Sequence, residues 1–153
     1  MKTRVLQSSV VMVLLTIMSA FAWNQDEKSA VIKVVEEAYV QGVHANPDGE
    51  AMRQGFHAEF VMFVQEGSKI NKVTRDEWIT RIEAAKAKSA NKPRPEIKAE
   101  FPLVEITGSA AVVKVELYRD GKHTFTDYIS LYKFEEGWKI VAKTFYRHPA
   151  KSE

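Results

Sequence analysis

The last third of this 153-residue chain carries four apolar-rich segments divided only by tight-turn residues. They are Glu96–Ile106, Ala110–Arg119, Lys122–Phe134 and Trp138–Tyr146, separated by Thr107-Gly108-Ser109, Asp120-Gly121 and Glu135-Glu136-Gly137. Asp-Gly between alternating runs is a strong local hairpin signal, because both residues tolerate the positive φ of a two-residue turn. The segments therefore read as a four-stranded antiparallel meander, and every long helical pattern precedes it. The expected class is α+β. A bent sheet covered by helices from its own N-terminal half tends to enclose a pocket, and function is sought there.

The N-terminus has the layout of a secretory signal peptide. Lys2 and Arg4 form a positive start, Val10–Met18 is an apolar run broken only by Thr16, and Ala20-Phe21-Ala22 is a small-x-small cleavage site. Cleavage after Ala22 is expected, leaving 23–153 as a single domain in the periplasm or outside the cell, with no membrane attachment. The apolar run is short for a transmembrane helix. Cleavage also removes Lys2 and Arg4, which takes 22 basic residues to 20, equal to the 20 acidic ones. A neutral domain is poorly suited to nucleic acid, whose affinity comes mostly from phosphate neutralisation. With no cysteine in the chain, neither a disulfide nor cysteine-based catalysis is available.

Asn24 and Asp26 are candidate caps for a first helix, along which Val31, Val34, Val35, Ala38, Tyr39 and Gly42 mark one buried face. The Asn46-Pro47-Asp48-Gly49 turn ends it. A short helix at Glu50–Gln54 follows, then a strand at Glu59–Gln65 that Glu66-Gly67-Ser68 turns into a partner at Lys69–Val73. Thr74 with Glu77 forms a capping box opening a third helix, with Trp78, Ile82 and Ala85 on one face. In Phe125–Phe134, one parity gives Phe125, Asp127, Ile129 and Leu131, and the other gives Tyr128, Ser130, Tyr132 and Phe134. A sheet with one solvated face alternates more cleanly. The outer face is therefore expected to meet a second copy of the chain as a homodimer.

Several segments resemble the nuclear transport factor 2-like superfamily, in particular its bacterial branch labelled "putative lumazine-binding". They are Tyr39-Val40-Gln41-Gly42, Phe56-His57, Trp78, Asp127-Tyr128-Ile129-Ser130-Leu131 and Gly137-Trp138-Lys139-Ile140-Val141-Ala142-Lys143. The resemblance implies a cone-shaped, strongly bent antiparallel sheet wrapped around N-terminal helices, a cystatin-like roll, commonly dimeric through the outer sheet face. It implies no single activity, since relatives include isomerases, dehydratases, polyketide cyclases and binding modules. Isomerases of this fold use a Tyr and two carboxylates. Here Ser130, not Asp127, stands closest to the donor carboxylate position, and Phe60–Val64 contains no acid.

Tyr39, His57 and Asp127 are the polar groups expected near the cavity, with Asp127 and His57 as the candidate acid–base pair. Each has a plainer role beside this one. His57 would bond backbone between helix and strand, Asp127 would pair with His57 or a lysine across the sheet, and Tyr39 would pack with its hydroxyl bonded. Phe60, Trp78 and Phe145 are the aromatic candidates for an apolar pocket wall. His44, His57, His123 and His148 lack short metal-ligand spacing, so no metal site is expected. No cofactor is expected either, because phosphate-binding and dinucleotide fingerprints are missing. The leading expectation is an exported domain binding a small apolar or aromatic molecule. The alternatives are a cofactor-free isomerase or dehydratase using Asp127 and His57, and an interaction module with a vestigial cavity.

Overall fold

A computed structural model describes residues 25–89 and 91–149. The signal segment 1–22 and the candidate cap Asn24 lie outside the described residues. Helix α1 spans 25–45, and its second half, Val35–Ala45, is wound as a π-helix. The wider turn shows at its end, where the Asn46 amide donates to Gln41 O at 2.8 Å, a five-residue step. Winding wider than 3.6 residues per turn draws Val40 into the core beside Val31, Val35, Ala38, Tyr39 and Val43. An ordinary helical stripe through Val35, Ala38, Tyr39 and Gly42 reaches Val43 but does not select Val40.

Asp48 caps α2 (Gly49–Gly55), its carboxylate accepting from the Glu50 and Ala51 amides. Gly55 is needed where α2 meets α1, because a Cβ there would lie 2.2 Å from the Ala38 Cβ. Strands β1 (Phe56–Glu66) and β2 (Lys69–Thr74) form the first hairpin. The Thr74–Glu77 capping box opens α3 (Arg75–Lys88) as expected. The expected face of α3 is shifted by one residue, however. Ile79 is its buried anchor, Trp78 and Ile82 are half-buried, and Ala85 is exposed.

The meander follows as β3 (Ile97–Thr107), β4 (Ala110–Arg119), β5 (Lys122–Phe134) and β6 (Gly137–Arg147). Asp120 (φ 50°) and Gly121 (φ 73°) both take the left-handed backbone that a two-residue hairpin requires. The six strands run in the order β2-β1-β6-β5-β4-β3. All neighbouring pairs are antiparallel except β1 with β6, so the bent sheet is mixed where a wholly antiparallel one was expected. Register irregularities between Glu100 and Leu103, Leu117 and Tyr118, and Ser130 and Leu131 increase twist and bend the sheet around the helices.

The concave face carries Val113, Val115, Leu117, Ile129, Leu131 and Ile140, all essentially fully buried under the helices. On the convex face Tyr128, Tyr132 and Tyr146 are 47%, 51% and 58% exposed, so these strands are apolar or aromatic on both sides. Glu27 fastens α1 to the β5–β6 hairpin by accepting from Lys133 Nζ at 2.6 Å and Trp138 Nε1 at 2.8 Å.

Candidate functional site

Two polar side chains from the meander are buried under the helices. Asp127 on β5 is 0% exposed and Lys143 on β6 is 4% exposed. The register pairs Asp127 with Phe145 and Ile129 with Lys143, which makes Asp127 and Lys143 diagonal neighbours on the inner face. Lys143 Nζ forms an ion pair with Asp127 Oδ1, and the Tyr39 hydroxyl donates to Asp127 Oδ2 at 2.6 Å. Four rings surround the ammonium: its Nζ lies 4.2 Å from the centre of Phe145, 5.1 Å from Tyr39, and 6.0 Å from both Trp78 and Phe125. Burial pushes the Lys143 amine below the usual lysine range, against the opposing pull of Asp127. Burial, then the Asp127 charge, raises the Tyr39 phenol well above its ordinary value.

His44, near the C-terminal end of α1, packs edge-on against Tyr39 with ring centres 4.9 Å apart. Its Nε2 is buried and has no hydrogen-bond partner among the described residues. Burial pushes its pKa down to about 3, assisted by the positive charges of Lys143 and Arg119. The ring is therefore neutral at physiological pH, with a free nitrogen.

His44 also lines a half-open cavity of about 470 Å³ bounded by the end of α1, the end of α3 and the proline-containing loop before β3. Val43, Ile82 and Ala85 supply apolar wall, with Pro47, Pro93 and Pro95 around it. Lys86, Lys92, Arg94 and Arg119 also line it, and among the described residues no carboxylate does. Lys86 Nζ donates to Pro47 O at 2.8 Å, and Arg94 donates to Ala45 O and to the Asn46 side chain. These partners are neutral, so the positive charge facing the cavity is not cancelled by them. A second cavity, of about 390 Å³, lies between the β1–β2 turn and β6, where Phe63, Ile70, Thr144 and Phe145 line it.

Of the residues singled out in the sequence, Tyr39, Trp78, Asp127 and Phe145 come together in the interior. Phe60 joins them by stacking on Trp78 at 5.8 Å. Of the six candidate ligand contacts, only Phe145 lines either cavity. His57 stands apart from Asp127. It stacks on Phe134 at 4.7 Å, and its Nδ1 accepts from the Glu59 amide at 3.1 Å. Phe134 is seven residues from Asp127 along β5, roughly 20 Å at strand rise. The lysine partner of Asp127 is Lys143, and it is the bulge at Val141 that turns Lys143 inward. Parity counted from Trp138 and Ile140 would put Lys143 outside, so sequence alternation hides it. His44 gives no sequence signal either, because its burial depends on the π-helical winding of α1.

Among the described residues, the donors close enough to share a metal ion are those of Glu116, His123 and His148, which lie within 4.8 Å of one another. No helix of the described residues is long and apolar enough to cross a membrane.

The model of the family described as "Putative lumazine-binding" matches residues 26–146. Among solved structures, the chain is similar to an NTF2-like protein of unknown function from Shewanella baltica OS155. That likeness has a TM-score of 0.67 and 26% identity, covering 82% of this chain and 96% of that one. A second NTF2-like protein of unknown function, from Silicibacter pomeroyi DSS-3, gives 0.65 at 20% identity, covering 82% and 98%. A cystatin-like domain from Nostoc punctiforme gives 0.59 at 16% identity, covering 82% and 80%. A curated relative, "Aldolase FrzH" of Cladobotryum, is 33% identical over 54 residues. That match spans 35% of this chain and only 43% of the aldolase.

Proposed function

The chain belongs to the "Putative lumazine-binding" family of the NTF2-like superfamily, and from that premise we propose that it is an exported, homodimeric domain that binds a small anionic molecule with a flat apolar or aromatic body. The carrying observation is the cavity beside His44. Its volume, about 470 Å³, lies within the range of small-molecule sites. Apolar wall and the His44 ring accommodate the body of the ligand, and four cations, with no carboxylate among the described lining residues, attract its charge. The family's description is in keeping with a flat heteroaromatic ligand. Export is supported by the charged start, apolar run and Ala20-Phe21-Ala22 site of the sequence. Dimerisation is supported by the three exposed tyrosines of the convex face.

Native mass spectrometry of protein purified without denaturation tests the binding role. A small-molecule adduct retained by the wild type and lost in Ala85→Trp, which fills the cavity, supports it. An adduct retained unchanged by Ala85→Trp places the ligand elsewhere.

A second reading makes the interior a reaction site. It draws on the Lys143 amine held below the usual lysine range beside Asp127 and Tyr39, and on the partial match to a protein named as an aldolase. In this reading Lys143 adds to a carbonyl carbon and water leaves, giving an iminium ion, while Asp127 exchanges the protons. Borohydride trapping of a ketone or aldehyde on Lys143, mapped by peptide mass, separates this reading from simple binding.

A further inference from the structure

We propose that Glu116, His123 and His148 bind a divalent transition-metal ion of the zinc class on the convex face of the sheet. Their donors come from three places in the chain: β4, the start of β5, and the residue just past β6. Backbone register gathers them. The irregularity after Leu117 sets Tyr118 opposite His123, and the His148 amide donates to Thr124 O at 3.0 Å, extending the β5–β6 pairing past Arg147.

The donors converge on one point. His123 Nε2 lies 2.6 Å from Glu116 Oε2, and His148 Nε2 lies 3.0 Å from Thr126 Oγ1, which also bonds Glu116 Oε2. The imidazole centres are 3.7 Å apart. Zinc held tetrahedrally at about 2.0–2.1 Å separates its ligand atoms by roughly 3.3 Å, so small side-chain rotations suffice to admit it. Lys114 Nζ holds the other carboxylate oxygen, Glu116 Oε1, at 2.6 Å. That contact leaves Oε2 as a single ligand atom and fixes its direction, as outer-shell partners of metal sites do. The ring of Tyr118 stacks on His123 at 4.8 Å, and Tyr146 meets His148 edge-on at 5.0 Å, which orients both imidazoles.

Two imidazoles and one carboxylate form a borderline donor set, suited to zinc, cobalt, nickel or copper and poorly to calcium or magnesium. Three protein ligands leave a fourth position open. Spacing along the sequence does not reveal the site, because strand pairing alone brings residues 116, 123 and 148 together.

The test uses the untagged full chain, stripped with a chelator and titrated with Zn²⁺ by calorimetry and with Co²⁺ by visible absorbance. The expected result is one Zn²⁺ per chain, weakened by about tenfold or more in Glu116→Gln and in His123→Ala and unchanged in His57→Ala. X-ray absorption of the zinc-loaded wild type, which needs no variant, is expected to count two imidazole ligands. Wild-type binding no stronger than that of the His123→Ala/His148→Ala double variant overturns the site. So does a zinc shell with fewer than two imidazoles, which would mark the cluster as a hydrogen-bond network only.

Discussion

The Tyr39 hydroxyl donates a 2.6 Å hydrogen bond to Asp127, tying the middle of α1 to the middle of β5 across 88 residues of chain. Lys143 completes the arrangement from β6. Removing one partner of a buried ion pair leaves the other charge unpaired, at a cost of about 3–5 kcal/mol. Asp127→Asn and Lys143→Met are each expected to destabilise by that amount in urea unfolding. Tyr39→Phe is expected to cost about 1–3 kcal/mol by leaving a carboxylate oxygen short of a donor. The triple variant Tyr39→Phe/Asp127→Leu/Lys143→Met, which removes every member of the network at similar volume, is expected to recover most of the loss. Additive losses in the triple variant would show that the three residues do not act as one network.

His44 makes stability depend on pH in a window set by its own burial. Its pKa falls from 6.5 to about 3 on folding, so below pH 6.5 the unfolded chain takes up a proton that the folded chain refuses. The associated stability is present above pH 6.5 and is lost as pH falls toward 3. At pH 5 the loss is about 2 kcal/mol. Unfolding curves at pH 7 and pH 5 are expected to diverge more for the wild type than for His44→Phe. Equal pH dependence in the two proteins would rule out a buried neutral imidazole.

The convex sheet face is expected to close against a second copy through Tyr128 and Tyr132, which are half-exposed in the single chain. Placing a carboxylate at the centre of such a face sets two like charges against each other across a two-fold axis. Sedimentation velocity is expected to show a dimer for the wild type and a monomer of unchanged circular dichroism for Tyr128→Glu/Tyr132→Glu. A wild type that sediments as a monomer at micromolar concentration contradicts the dimer.

Export predicts a mature N-terminus at Trp23, one residue past the Ala20-Phe21-Ala22 site. Intact mass of the protein recovered from an osmotic-shock or culture fraction reads this directly. Recovery of the chain beginning at Met1 in the cytosolic fraction would contradict it.

Elements governed by local chemistry were legible in the sequence, and those governed by winding or bulges were not. Asp120-Gly121, the Thr74–Glu77 capping box and the alternation in Lys122–Phe134 each act over a few residues, and they located hairpin, helix start and strand correctly. Parity grouped Asp127 with Ile129 and Leu131, but with apolar residues on both faces of the strand the sequence did not decide which face lies inward, and the structure places this one under the helices. Lys143 escaped because one extra residue in β6 reverses the alternation that counting assumes. Val40 and His44 escaped because a π-helix presents a different face from an α-helix of the same sequence. The proline loop of Lys92, Pro93, Arg94 and Pro95 has no periodicity at all. Its role as a cavity wall depends entirely on where the ends of α1 and α3 converge.

The most direct measurement of the binding role is a thermal-shift series pairing aromatic carboxylates, lumazines and flavin mononucleotide with their neutral or amide counterparts, on the wild type and on Ala85→Trp. A ligand at about 100 times its Kd stabilises by about 2.7 kcal/mol, which moves the Tm of a domain this size on the order of 10 °C. A shift of that order is expected for anionic members of the series with the wild type, smaller for their neutral counterparts and abolished in Ala85→Trp. No shift with any anionic compound, or equal shifts in the two proteins, would contradict a ligand site at the cation-lined cavity beside His44.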